Sequence, residues 1–259
     1  METKILNLHE RKLNLIDTMD MESDSAIQIP SNDRRSLHAF KGHAVFCDEN
    51  GNVLLEKDNT IVLRGRTFAL EKIFGISSSG LGLNYNTQDL PNKKVCLFRC
   101  GTGGCIEGQP FNILPTASNC AKLSSEIPFR PVIAGESLTN YTDVRTGSDN
   151  TQYYWSKKFD SMVMDHNRSE GKTSTTEDEV YVKLTLKITE DDFATIPTTN
   201  INGDIEYKRS TFINELGLYI ANEDNGNYRN YELFSRLTFE SEPLFNNTKV
   251  IIIYYYIYA

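Results

Sequence analysis

The most regular alternation in the chain runs from Val180 to Ile188. Val180, Val182, Leu184, Leu186 and Ile188 fall on one side of an extended backbone, and Tyr181, Lys183, Thr185 and Lys187 on the other. Successive strand residues point to opposite faces, so the pattern predicts a strand with one buried and one wet face. The stretch from Val250 to Tyr258 breaks that rule, because apolar or aromatic residues occupy both of its sides. Such a strand belongs at the centre of a sheet covered on both faces, or has one face against another subunit. Left bare, it would recruit other chains.

Shorter patterns fill in the rest. Ala44 to Glu56 reads as a hairpin, with Asn50-Gly51 supplying the positive φ angles of a tight turn. Thr60 to Arg66 opens as an extended run. Arg66 to Gly75 then reads as a short amphipathic helix, with Leu70, Ile73 and Phe74 on one face and Gly75 as the stop. Strands are expected at Lys94–Cys100, Gln152–Phe159 and Leu233–Phe239, and within Glu206–Ala221. Ile127–Ile133 reads as an extended edge segment, because its prolines cannot donate to a ladder. Residues 76–92, 108–125 and most of 136–178 read as loops rich in Ser, Gly, Asn and charge. Together these elements predict a mainly β fold, a β-sandwich or jelly-roll-like domain with one short helix and long loops. No fixed-period repeat is present, which argues against solenoids and propellers.

Residues 1–40 differ from the remainder. They are polar with isolated apolar positions and cannot bury much of themselves. One reading is an unstructured terminus; the other is an N-terminal arm that orders against a neighbouring subunit, with Ile27 and Ile29 as anchors. The domain assignment is an arm over 1–40 and a β-rich structural domain over 41–259.

Charge narrows the partners. The chain has 259 residues and a formal net charge of -8, a balance that repels phosphate and makes specific nucleic-acid binding unexpected. Met1 to Ile5 opens no apolar leader, and no apolar run reaches the length of a spanning helix, so neither secretion nor a membrane is expected. Five cysteines, an odd number in a chain of this size, fit reduced thiols better than a disulfide framework.

Candidate chemistry is sparse. Cys96 and Cys100 have a zinc-compatible spacing, but a same-face pair of small apolar thiols on one strand explains them equally naturally. His38 and His43 lack the partners of a metal motif. Gly101-Thr-Gly-Gly104 lacks the Lys-Ser/Thr of a phosphate loop and reads as a turn whose backbone approaches a neighbouring chain. Glu190-Asp191-Asp192 after the alternating strand reads as a solvated turn. No nucleophile elbow is present. No catalytic residue, cofactor or metal is assigned, and the chain is expected not to be an enzyme.

Four stretches carry a family resemblance. They are Asn59-Thr-Ile-Val-Leu-Arg-Gly-Arg-Thr-Phe-Ala-Leu-Glu-Lys-Ile-Phe74, Phe98-Arg-Cys-Gly-Thr-Gly-Gly-Cys-Ile-Glu-Gly-Gln-Pro-Phe-Asn112, Phe212-Ile-Asn-Glu-Leu-Gly-Leu-Tyr-Ile220 and Leu233-Phe-Ser-Arg-Leu-Thr-Phe239. In order and rough spacing, over residues 40–259, they resemble a family of tailed-bacteriophage virion structural proteins of contractile-tailed or large phages. Cys100 and Cys105 depart from the small or apolar residues expected beside the glycines, and the arm has no counterpart. The resemblance implies a structural subunit of neck, tail or baseplate type. It implies a homo-oligomeric ring contacting other virion proteins, in a particle assembled in the bacterial host cytoplasm. The interface residues expected are Ile27, Ile29, Phe98, Gly103, Phe111, Tyr254 and Tyr256. The alternative is a capsid-associated decoration or glycan-binding β-sandwich, with Tyr153, Tyr154 and Trp155 as a sugar platform.

Overall fold

A computed structural model describes residues 40–75, 93–106, 109–136, 138–166, 180–189, 192, 195–199, 205–209, 213–240 and 250–258. In chain order its elements are β1 (Lys41–Cys47), β2 (Val53–Ile61), α1 (Leu63–Phe74), β3 (Lys93–Gly101), β4 (Cys105–Ile106), β5 (Gln109–Ile113), β6 (Glu126–Ile127) and β7 (Arg130–Pro131). There follow β8 (Tyr141–Thr146), β9 (Gln152–Lys158), β10 (Ser161–His166), β11 (Val180–Thr189), β12 (Thr195–Thr199), β13 (Ile205–Arg209), β14 (Glu215–Asp224), β15 (Asn227–Thr238) and β16 (Val250–Tyr258). The fold is mainly β and antiparallel, with one helix among the described residues, as the hydrophobic pattern predicts.

Twelve strands form a single curled sheet in the order β10-β11-β16-β1-β2-β15-β14-β3-β9-β7, with β6 beside β3 and β8 beside β9. The curl has two identifiable causes. The first is β2, which pairs along most of its length with β1 and then passes its last residues to β15, through Thr60↔Arg236 and Ile61↔Ser235. The second is a pair of bulges flanking Tyr219 of β14, with shifts in both its β3 and β15 ladders. An extra residue on one strand bends it and increases its twist. The sheet therefore folds over itself, and its two halves face each other in a sandwich-like arrangement.

The core fills that fold. Ala44, Phe46, Leu184, Leu186, Ile253 and Tyr255 come from the β11-β16-β1 half, and Phe98, Leu216, Leu218 and Phe234 from the β15-β14-β3 half. Burying each large apolar side chain contributes about 1.5–3 kcal/mol. At the seam the buried Tyr255 hydroxyl meets Ser235 Oγ at 2.7 Å and also the Asn59 amide, so one phenol ties both halves to the crossing strand. A smaller cluster of Val62, Cys96, Leu97, Leu123, Tyr219, Ala221 and Leu233 covers the other side of the β14 half. Strand β14 is consequently buried on both faces.

Several local expectations change. The tight hairpin turn is Asn225-Gly226, where both residues have positive φ (49° and 83°), whereas at Asn50-Gly51 only Gly51 (84°) does. There the loop is wider, and the Asp48 carboxylate holds it by accepting from Asn50 N–H at 2.9 Å and Asn52 N–H at 2.8 Å. Helix α1 does place Leu70, Ile73 and Phe74 on one face, but that face is exposed. Val62 N–H bonds Phe234 O at 3.1 Å and Leu63 N–H bonds Ser118 O at 2.7 Å, which sets the helix entry. Gly65 lies against the Phe234 backbone, and this close approach turns Thr67, Phe68 and Glu71 inward instead. The region read as loop over 136–178 contains β8 and β10 besides the expected β9. The loop assigned to 76–92 and the arm with Ile27 and Ile29 lie outside the described residues, although Phe40 itself packs on the core.

Candidate assembly surface

The strongest unsatisfied surface lies on the β10-β11-β16-β1 half. Registers place its outward side chains in rows. Asp165, Tyr181, Tyr258 and Lys41 form one row; Val163, Lys183, Tyr256, His43 and Asp58 the next; Ser161, Thr185, Tyr254, Val45 and Glu56 a third. Directly opposed side chains on one face touch, and the contacts bear this out. Tyr181 lies 5.5 Å from Tyr256 and 5.6 Å from Tyr258, centroid to centroid. Lys183 Nζ sits 4.1 Å over the Tyr254 ring, and His43 Nδ1 is 2.9 Å from Asp58. Burial, with nearby Cys47, pushes the Tyr256 phenol above its ordinary range. Tyr181, Lys183, Tyr254, Tyr256 and Tyr258 are half-buried by one another and present an aromatic and lysine face, with Lys41, Glu56, Asp58, Ser161, Val163 and Asp165 exposed around it.

Strand β10 ends that half. Among the described residues no strand pairs with its outer edge. It pairs with β11 through six consecutive residues without a shift. Met162 and Met164 lie on the core side, opposite Leu184 and Val182, yet are 55% and 74% exposed; Val163, on the outer side, is 54% exposed. Among the described residues the facing half of the sandwich thus stops short, and the apolar lining continues past it. The sequence reading missed this strand because Ser161-Met-Val-Met-Asp-His166 alternates too briefly to separate from a loop.

The expected interface residues separate into three groups. Tyr254 and Tyr256 lie on the aromatic face. Phe111, on β5, is 50% exposed. Phe98 is corrected. The Phe98 ring is fully buried, edge-on to Phe129 at 5.5 Å, and so is a core residue with no surface to offer. Gly103 approaches its own chain: a Cβ there would meet Glu215 Oε1 and Ser124 Cβ at 2.6 Å. Buried Glu215 holds that segment by accepting from Ser124 N–H (3.0 Å), Ser125 N–H (2.7 Å) and Arg236 Nε (2.9 Å).

The remaining candidates resolve similarly. Tyr153, Tyr154 and Trp155 are consecutive on β9, so neighbours face opposite sides; Tyr153 is buried, and Arg145 caps the Trp155 ring at 5.1 Å. They do not form one platform. Cys96 belongs to the outer cluster and Cys100 to the core, because the bulge in the β3 ladder shifts the alternation; the same-face pairing is corrected. Burial pushes the Cys96 thiol up to about 12. Among the described residues no group of three or more His, Cys, Asp or Glu is placed to hold a metal ion. Asp192 is fully buried, not solvated: it takes Lys157 Nζ at 2.8 Å and the Tyr141 hydroxyl. Among the described residues no helix is long and apolar enough to cross a membrane.

No family model matches the chain, and neither a curated protein nor a solved structure does.

Proposed function

We propose that the chain is a non-enzymatic structural subunit that works by protein–protein contact in a larger assembly, a tailed-phage virion of neck, tail or baseplate type. The observation that carries the assembly part is β10, a regular open strand edge whose apolar residues extend the core lining into solvent. Such edges are ready templates for another chain. The aromatic and lysine face beside it adds the Tyr-rich composition favoured at interfaces. The exposed Leu70, Ile73 and Phe74 of α1 offer a second apolar patch on the same body. The phage part is supported by the resemblance of the four quoted stretches alone.

Native mass spectrometry with negative-stain imaging of the purified chain tests the first part. A closed oligomer of defined order is expected; a strict monomer at every concentration would overturn it, as would a turnover activity abolished by one point change that leaves assembly intact. Proteomics of purified tailed-phage particles tests the second part, the expectation being the chain present at fixed stoichiometry with known virion proteins.

A further inference from the structure

Resting on that reading, we propose that β10 is a two-fold contact: a second copy of this chain adds its own β10 antiparallel, with Val163 on the axis. An open strand edge displays alternating N–H and C=O groups, and what satisfies them is another strand. The question is which strand. Two features of the edge select its own copy.

The first is the side-chain pattern. Centring the pairing on Val163 sets Val163 against its symmetry mate. Met162 then opposes Met164 of the second copy, and Ser161 opposes Asp165. The outward residues Ser161, Val163 and Asp165 stay on one face, and the core-side Met162 and Met164 on the other, as their partners on β11 require. The four methionines of the pair close over each other where the facing half of the sandwich stops, and thioethers adapt well to such a gap. No like charges meet across the axis. A slip of one residue sets Asp165 against Met162 and reverses the faces, and a slip of two sets Val163 against Asp165 or Ser161, so the register centred on Val163 is the one that opposes apolar residues to each other throughout 162–164.

The second is another edge of the same sheet. Strand β8 carries Asp143 at φ 61°, omitted from its ladder with β9, with Arg145 and Asp143 locked in ion pairs. A charged edge whose ladder is broken by a left-handed residue disfavours a flat added strand. Head-to-tail pairing of β10 with β8 of the next copy is therefore disfavoured, as is pairing with β7, a two-residue strand whose Pro131 has no N–H to donate; of these edges of the large sheet, β10 against β10 is the favoured pairing. A two-fold contact closes on itself. Ring growth then belongs to another surface, and the β10 pairing joins two subunits or two rings.

The test uses the full chain with its native cysteines. Val163→Cys, oxidised mildly with copper phenanthroline, is expected to give a covalent dimer whose linkage maps to 163–163 by peptide mass spectrometry. Ser161→Cys and, on β8, Val144→Cys are expected not to self-link. Met164→Asp, at a largely exposed position, is expected to weaken the contact about tenfold or more in dissociation constant, as buried-interface charges do. Its melting curve reports whether it folds, and the Val163→Cys linkage is an independent readout. An oligomer that shows no 163–163 linkage and ignores Met164→Asp overturns the two-fold contact and leaves the assembly reading standing. A chain monomeric at all concentrations overturns both.

Discussion

Two edges of the large sheet, β8 and β10, are built from opposite materials. At β8, Asp143 leaves the ladder, and its carboxylate reaches Arg99 Nη2 at 2.9 Å and Arg145. Arg99 is buried, stacks 4.1 Å under the Tyr219 ring and 4.7 Å under Tyr231, and pairs with Glu126 at 2.9 Å. Every charge at this edge is tied inward. At β10 the ladder is regular, the residues are Met, Val and Met, and the side chains stand in solvent. One edge is closed from within by an ionic cluster and the other is a regular, open ladder of apolar residues. Exposure alone does not separate the two: Val144 on β8 is 48% exposed and Val163 on β10 is 54%, yet Val144 sits beside the left-handed, ion-paired Asp143.

The comparison can be broken hardest at Arg99. Arg99→Ala leaves the carboxylates of Glu126 and Asp143 with only the half-exposed Arg145 in place of the buried cation they share, and removing one partner of such a cluster costs about 3–5 kcal/mol. Urea unfolding is expected to show that loss, with faster amide exchange over residues 141–146. Next comes acid. Burial pushes the Glu126 carboxyl up, but Arg99, the Tyr219 hydroxyl and Arg145 outweigh it and hold it below the usual range. A carboxyl depressed in the folded state contributes stability that is present above its unfolded pKa and fades as pH falls through the folded one. Stability is thus expected to drop on the acid side of the ordinary glutamate range, and Glu126→Gln is expected to flatten that part of the profile while lowering stability at neutral pH.

Asp143→Asn sharpens the contrast. Asn tolerates the left-handed backbone but removes the charge facing two arginines, so a loss of about 1–3 kcal/mol is expected with the β8 backbone unchanged. Smallest is the gatekeeper exchange on the open edge. Val163→Lys places a charge where β8 already has several; self-association should fall while unfolding free energy stays within about 0.5 kcal/mol. Sedimentation and denaturant curves on the same preparation separate the two effects.

Much of the fold was legible in the sequence. The alternation at Val180–Ile188 is β11, with Leu184, Leu186 and Ile188 buried as the pattern requires. The two-sided apolar stretch at the end is β16, central between β1 and β11, with one face in the core and the other bearing the tyrosines. Gly75 stops the helix in the left-handed conformation expected of it. What escaped the sequence was set by distant partners. The β3 bulge moves Cys96 off the face of Cys100, and no local signal announces it. Asp192 looks like one acid in a solvated run until Lys157, far earlier in the chain, reaches it. Phe98 reads as an anchor by type, yet an aromatic residue on a central strand is claimed by the core. The candidate surface was half readable. Tyr254 and Tyr256 follow from the pattern of β16, while β10 needed β11 beside it to be recognised as a strand.

The position of β16 also sets an order of events. It is the last described strand, yet it lies between β1, the first, and β11, and it supplies Tyr255 to the seam. During synthesis β1 can form its hairpin with β2 at once, but its other side waits until nearly the whole described chain has emerged. Long-range pairings of this kind fold slowly and leave apolar strands open meanwhile. For that interval β1 and β11 are each missing the same neighbour, so the nascent chain carries more open edges than the folded one. Its folding on the ribosome is expected to depend on holdase chaperones until β16 arrives.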